Sequence, residues 1–292
     1  MLDFKAVKEW NFGEIAHTYG EKDAILYALG VGLGMDPADP LQLPFVQEDG
    51  LKALPTMAAV VGSPGHWLRD ARTGIDWVKV LHGEQDLTLH AVLPPTATLR
   101  VTNRVGSIFD KGLGRGAVCD IIREIFHAET GELVARGRQI SLMRGDGGFS
   151  GAGPQADTMP EMLPPLDVHG RQADRTLVLL SSTQAALIYR LSGDRNPLHA
   201  DPKVAKAAGY PQPILHGLSS FGMAGHAVLR SFCDYDVARL RRLAVRFSSP
   251  VFPGESLHFD FWQVSSTCVR FRATVAERNA IVLDNGIAEL RA

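Results

Sequence analysis

The stretch from Arg144 to Gly170, RGDGGFSGAGPQADTMPEMLPPLDVHG, shows neither a helical nor an alternating hydrophobic period, and it splits a chain of 292 residues into halves of similar size. Glycine adds backbone freedom while proline fixes φ and removes an N–H, so such a run neither extends a helix nor pairs in a sheet. It reads as a linker. The expected organisation is therefore two units, residues 1–150 and 171–292, joined by residues 151–170. Matched halves also point to duplication, and two traces of one are present. LYALGVG (Leu26 to Gly32) resembles IYRLSGD (Ile188 to Asp194), each after a helix-like apolar run. LPPTATLRV (Leu93 to Val101) resembles FPGESLHFD (Phe252 to Asp260), each opening a series of strands. The spacing from Tyr27 to Tyr189 nearly equals that from Pro95 to Pro253, as one unit copied twice would give.

Both halves end in strands. In SLHFDFWQV, Leu257, Phe259 and Phe261 alternate with His258, Asp260 and Trp262, the two-residue period of a sheet with one buried face. LAVRFSS, CVRFRATV and AIVLDNGIAEL continue the pattern, and TLRVTNRV, GAVCDIIREIF and ELVARGRQISLM match it in the first half. Ahead of the later strands, His216 to Cys233 predicts a helix of about 27 Å. Leu218, Phe221, Val228, Leu229 and Phe232 would form its apolar stripe, and Gly222, Ala224, Gly225 and Ala227 would let a sheet pack close. The equivalent stretch of the first half, LPTMAAVVGSPGHWL, is broken by Pro55, Gly62 and Pro64, which predicts a groove in place of a second long helix. The expected class is α+β, each unit a curved antiparallel sheet and the second wrapped round a long central helix.

The second unit also holds the densest chemistry. YRLSGDRNPLHADP (Tyr189 to Pro202) puts Asp194, Asn196 and His199 on a stretch that Gly193 and Pro197 keep from becoming a regular helix. A carboxylate and an imidazole that close form an acid/base device. PILHGLSSFGMAGHAVL (Pro213 to Leu229) then sets Gly217 at the mouth of the long helix, where N–H groups without intrahelical partners can stabilise a developing oxyanion. Together these describe chemistry beside a carbonyl. Taken singly, each residue has a plainer role: Asp194 and Asn196 as turn formers, His199 as a hydrogen-bonded structural histidine, Gly217 as a helix-start glycine. Their joint spacing favours catalysis. The first copy has no Asp followed five residues later by His after its Tyr27, so the second unit is expected to carry the reaction.

YRLSGDRNPLHADP with GYPQPILHGLSSFG resembles the signature of the R-specific enoyl-CoA hydratases, the hydratase 2 or MaoC-like dehydratase family, whose units have the hot-dog fold. DAILYALGVG (Asp23 to Gly32) and VLHGEQ (Val80 to Gln85) resemble the non-catalytic unit of its double hot-dog members, so the resemblance covers nearly the whole chain. It implies a double hot-dog hydro-lyase that hydrates trans-2-enoyl-CoA to (3R)-3-hydroxyacyl-CoA. The family's catalytic acid falls on Asp194, its histidine on His199, an asparagine that positions water on Asn196, and the glycine whose N–H meets the thioester oxygen on Gly217. Water addition needs a base for the attacking water, an acid for C2 and a donor for the enolate-like oxygen, and one face of an Asp/His site would make it syn. A hollow first unit implies medium to long or bulky acyl chains. Arg246, Lys203 and Arg270, with His216, are the expected substrate and CoA contacts. CoA belongs to the acyl-CoA thioester substrate, so no separate cofactor is expected. Thioester hydrolysis on the same fold and non-catalytic acyl-CoA binding are the competing readings. Paired units already make a pseudo-dimer, and a homodimer of the whole chain is the expected assembly.

Other classes are disfavoured. A net charge of -2 without a basic stripe interleaved with aromatics argues against a nucleic-acid partner. No apolar run reaches about 18 residues, and MLDFKAVKEWNFGEIAHTYG lacks a signal-peptide pattern, which predicts a cytoplasmic protein without a membrane partner. Cys119, Cys233 and Cys268, far apart and odd in number, suit reduced packing thiols. His199, Asp201 and His216 follow no HxxxH or HExxH spacing, and HADP reads as a helix start capped by Asp201, so no metal is expected. GVGLG at Gly30 follows a helix-like run and reads as a turn rather than a dinucleotide loop. LHGEQ, with His82 and Glu84 about Gly83, likewise reads as a structural turn.

Overall fold

The computed structural model describes residues 1–151, 156–168 and 170–292. Among them ten strands form one antiparallel sheet: β1 (Glu14–Tyr19), β2 (Val80–Leu89), β3 (Ala97–Asp110), β4 (Ala117–His127), β5 (Leu133–Met143), β6 (Arg175–Leu180), β7 (Leu240–Phe247), β8 (Ser256–Ser265), β9 (Cys268–Val275) and β10 (Ala280–Leu290). Their spatial order is β1-β3-β4-β5-β2-β7-β10-β9-β8-β6. Matching each strand with its counterpart in the other half makes this order a palindrome centred between β2 and β7. The sequence repeats thus correspond to a topological repeat related by a pseudo-twofold.

At that centre Glu84 to Thr88 pair with Arg246 to Arg242. The Arg242 guanidinium crosses the junction, donating through Nε and Nη2 to the two oxygens of Asp86 at 2.9 and 2.7 Å and through Nη1 to Glu289 at 2.9 Å. A forked pair of this kind fixes both distance and angle between neighbouring strands.

The helices are α1 (Phe4–Lys8), α2 (Glu21–Gly30), α3 (Leu43–Val46), α4 (Ala185–Tyr189), α5 (Pro202–Ala207) and α6 (Gly217–Phe232). α6 is the long helix expected from the sequence, but it does not present a single apolar stripe: every residue from Ser219 to Leu229 is buried. α6 packs on β6, β7 and β10, but its two interior glycines, Gly222 and Gly225, serve a different neighbour from the one expected. A Cβ on Gly222 would fall inside the Val31 side chain, and one on Gly225 would lie 2.5 Å from Thr56 Cγ2. They admit the end of α2 and the 3-10 turn Pro55–Ala59 from the first unit, rather than the sheet. That turn is buried throughout and lies in the stretch where the sequence breaks a second long helix. Tyr27 and Tyr189, the repeat-related pair, meet with ring centroids 5.8 Å apart. One apolar core consequently runs through both halves, from Tyr27, Val31 and Leu87 to Phe221, Leu243 and Phe259.

The described residues of the linker form no helix or strand, yet they are tied to the outer face of the sheet. Leu163 N–H donates to Glu84 Oε2 at 3.0 Å, Leu166 N–H to Asn285 Oδ1 at 3.0 Å, and Arg138 Nη1 to the Glu161 carbonyl at 2.8 Å. Leu163 packs on Ala244 and Ile287. Trp262, expected in a solvent-facing row, is covered nearby and donates to the Arg171 carbonyl at 3.0 Å. LHGEQ is not a turn but lies within β2, where a bulge between His82 and Glu84 shifts the register. GVGLG does form a turn, with Gly32 and Gly34 at φ of 86° and 78°. No helix among the described residues is long and apolar enough to cross a membrane.

The α6 contact predicts a stability effect. Gly222→Val should destabilise the fold by about 1–3 kcal/mol through overpacking, read as a lower urea midpoint. A raised midpoint would be inconsistent with α2 packed against this glycine.

Candidate active site

After α4 the chain makes a 3-10 turn, Arg190–Ser192, that ends at Gly193 with φ 120°, a conformation side chains disfavour. This reversal aims Asp194 into the fold. Asp194 Oδ1 accepts the Asn196 N–H at 3.0 Å, and Asn196 Oδ1 accepts the Leu198 N–H at 3.2 Å, capping the turn Pro197–His199. The turn-forming role therefore coexists with the chemical one, because Asp194 Oδ2 and the Asn196 amide nitrogen keep their capacity for a ligand.

His199 is buried, and its Nδ1 lies 2.9 Å from the Ile214 carbonyl. As donor to that carbonyl, Nδ1 carries the proton and leaves Nε2 as the basic atom. His216 Nε2 similarly donates to the Asp194 carbonyl at 3.0 Å, tying the loop to the start of α6. The two imidazoles stack with centroids 3.8 Å apart. Burial lowers the pKa of His199, and burial followed by repulsion from His199 lowers that of His216 to about 4. Both rings are neutral at pH 7. Stacking two neutral imidazoles costs far less than stacking two cations.

No side chain caps α6, so its first N–H groups are open. A Cβ on Gly217 would stand 3.3 Å from Phe247 Cε1, which explains glycine at this close approach. The Phe247 ring also meets His82 in an edge-to-face contact, with centroids 4.7 Å apart. The first unit thus reaches the site through β2. His82 is half-buried, its enclosed Nε2 has no hydrogen-bond partner, its pKa is lowered to about 4 by desolvation, and Asp194 is close enough to oppose that shift. Sequence reasoning set His82 aside as part of a turn; its occurrence in VLHGEQ was the available signal.

The expected substrate contacts divide. His216 lies within the cluster. Lys203 is exposed on α5, which Asp201 caps as expected by accepting the Lys203 N–H at 2.8 Å. Arg246 and Arg270 are corrected: they alternate with the core-facing residues of β7 and β9 and point to the outer face, away from α6. Arg270 is bonded there to the carbonyls of Gly286 and Pro164 at 3.0 and 2.9 Å. The sheet separates both arginines from the acid/base loop. Asp194, His199 and His216 also offer ligand atoms within 4.8 Å of one another, a convergence that motif spacing did not suggest. His199 Nδ1 and His216 Nε2 are already engaged by carbonyls, so a cation would have to use the opposite nitrogens.

Two five-stranded halves closed on one buried helix define a double hot-dog protein, and an acid/base loop beside an open helix N-terminus suits proton transfer next to a carbonyl. Known proteins of similar sequence narrow this to a hydro-lyase family. The chain belongs to the MaoC-like dehydratases: residues 166–285 match the MaoC like domain, and residues 17–145 match the MFE-2 hydratase 2 N-terminal domain. It is 37% identical over 278 residues to 3-hydroxyacyl-thioester dehydratase Y of Mycobacterium tuberculosis, covering 92% of each chain. It is 36% identical over 280 residues to the peroxisomal enoyl-CoA hydratase 2 of Arabidopsis thaliana, covering 92% of this chain and 90% of that one. Similarity to the peroxisomal multifunctional enzyme type 2 of Drosophila melanogaster is 35% identity over 95% of this chain, which spans only 46% of that enzyme. Among solved structures, a MaoC-like dehydratase from Phytophthora capsici has a TM-score of 0.84 at 31% identity, covering 99% of this chain and 98% of the other.

Buried neutral histidines set a pH response. The folded pKa values of His82, His216 and His226 lie near 4, below the unfolded value of 6.5, so between these limits the unfolded chain binds more protons and stability falls as pH falls. Each should contribute a slope of up to about 1.4 kcal/mol per pH unit there. Urea melts at pH 7 and pH 5 should show a marked loss at pH 5; equal midpoints would mean that these rings are not held neutral.

Proposed function

We propose that the protein catalyses reversible syn hydration of trans-2-enoyl-CoA to (3R)-3-hydroxyacyl-CoA. The observation that carries this reading is Asp194 and His199 on one short loop, beside the open N-terminus of α6. In it, a water lies between the Asp194 carboxylate and His199 Nε2, with the Asn196 amide nitrogen as a further donor. As the water oxygen attacks C3, the Asp/His pair takes one of its protons and returns a proton to C2 on the same face, so the pair ends as it began. Charge collecting on the thioester oxygen is met by the Gly217 N–H, a contribution of about 3 kcal/mol. The names of the mycobacterial and plant relatives, a 3-hydroxyacyl-thioester dehydratase and an enoyl-CoA hydratase 2, support this chemistry.

CoA enters with the substrate, and no further cofactor takes part. Lys203 is the proposed contact for its phosphates. Medium to long or bulky acyl chains are the proposed substrates, supported by the short Pro55–Ala59 turn that stands where a second long helix would otherwise fill the first unit. A cytoplasmic location is proposed, with the unpaired Cys119, Cys233 and Cys268 as its support; a homodimer is the proposed assembly, which sedimentation would test.

Incubation with crotonyl-CoA and with a longer enoyl-CoA should remove the conjugated thioester absorbance, give an R product and release no thiol. Thiol release would indicate hydrolysis instead, and no reaction with either would leave a binding role. The longer substrate should react at least as well as crotonyl-CoA; a steep fall in rate with length contradicts the chain-length reading.

Asp194→Asn and His199→Ala should each lower kcat by about 100-fold or more at unchanged far-UV circular dichroism. Activity within a few-fold of wild type in either variant would refute the assignment.

A further inference from the structure

Behind the acid/base loop, where the two units meet, Tyr27, Thr56, Tyr189 and His216 are each at most 1% exposed. Among the described residues, the Tyr27, Thr56 and Tyr189 hydroxyls and His216 Nδ1 are enclosed and meet no partner in hydrogen-bond geometry. An unpaired buried donor or acceptor bears the full cost of its lost hydration, so protein interiors leave few of them. Several together point to a small polar ligand that satisfies them jointly.

These groups lie along one face of α6. The Tyr27 hydroxyl faces those of Thr56 and Tyr189. A Cβ on Gly222 would stand 2.9 Å from the Tyr27 hydroxyl, and Thr56 packs against Gly225, the next turn of the helix. The Tyr189 ring contacts Tyr27 on one side and His216 on the other, with centroids 5.8 and 5.0 Å apart. Ser219 Oγ donates to the Gly30 carbonyl at 3.1 Å, pinning the end of α2 to the start of α6 beside them. Burial raises both tyrosine pKa values, so each hydroxyl keeps its proton and can donate.

His216 links this region to the chemistry. Its Nε2 donates to the Asp194 carbonyl at 3.0 Å, which leaves Nδ1 an acceptor in need of a donor. One water joins polar atoms up to about 5.6 Å apart, twice an O–H···O length, and a buried water makes about three hydrogen bonds. Ring packing alone would account for aromatic residues here. It would not account for hydroxyls at Tyr27 and Thr56, where phenylalanine and valine fill the same space.

Resting on the hydratase reading, we propose that an internal water held by the Tyr27, Thr56 and Tyr189 hydroxyls donates to His216 Nδ1, which makes Tyr27 and Thr56 of the first unit positioning residues for the acid/base loop. A donor at Nδ1 keeps the His216 proton on Nε2, and Nε2–H keeps its hold on the Asp194 carbonyl. Without that donor the proton is free to move to Nδ1, and the hold is lost. The first unit thereby acts on Asp194 without touching the substrate.

A high-resolution crystal structure of the whole chain should show a water within hydrogen-bond distance of the three hydroxyls and His216 Nδ1. Tyr27→Phe and Thr56→Val each remove a hydroxyl and keep the packing. Each should lower kcat for crotonyl-CoA by about tenfold with KM within about twofold, because Gly217 and the CoA contacts are untouched. In 15N NMR spectra the His216 ring should be protonated at Nε2 in wild type and show a mixture of tautomers in both variants. Absence of the water, or hydroxyls bonded directly to one another, overturns the proposal. So do unchanged kcat and tautomer in both variants, because a hydroxyl without a partner is lost at no cost. Failure of wild type to hydrate crotonyl-CoA would overturn the hydratase reading and the positioning role with it, while the crystal structure and the 15N spectra still decide the water site.

Discussion

The β2–β7 ladder is the constraint on which the rest of the structure depends. Without it the chain would be two five-stranded sheets, each with an unpaired edge and an incompletely covered inner face. With it, one sheet curves around a shared core, and α6 is buried on every side because the first unit supplies Val31 and Thr56 against its glycines. The Arg242 fork onto Asp86 and Glu289 sits on this ladder, while the linker strap covers its outer face. The helix whose N-terminus lies beside the Asp194 loop is thus positioned by residues of the other half.

Duplication followed by divergence accounts for the asymmetry. The copies retain their strand order and their Tyr27/Tyr189 contact. They differ where a long helix in one is replaced by Pro55–Ala59 in the other. The close approach to α6 at Gly222 and Gly225 is taken by Val31 and Thr56 of the first unit. The short turn leaves carbonyls that need donors, and Arg123 with Asn103 answers that need.

Dryness sets the electrostatics of the site. His82, His199 and His216 are all held neutral mainly by desolvation rather than by a neighbouring cation. A neutral His199 with its proton on Nδ1 is ready to accept at Nε2, and the Ile214 carbonyl selects that tautomer. His216 stacks on it and anchors the Asp194 backbone, so both ends of the loop are held.

Much was legible in the sequence because it rests on local spacing. The alternation of Leu257, Phe259 and Phe261 marks a strand with one buried face, the Gly/Pro run marks the crossing between units, and Asp194, Asn196 and His199 share one loop whatever the fold around them. Gly217 at the start of α6 is likewise fixed by chain position. Only the tertiary structure decided which distant residues join them. Moving a strand register by one residue turns each side chain to the other face. The bulge at Gly83 therefore determines that His82 meets Phe247, and strand phase determines that Arg246 and Arg270 face outward while Arg123 faces inward to the Ala59 carbonyl. Such neighbours are set by pairing between residues far apart in the chain, which hydrophobic periodicity within a segment cannot specify.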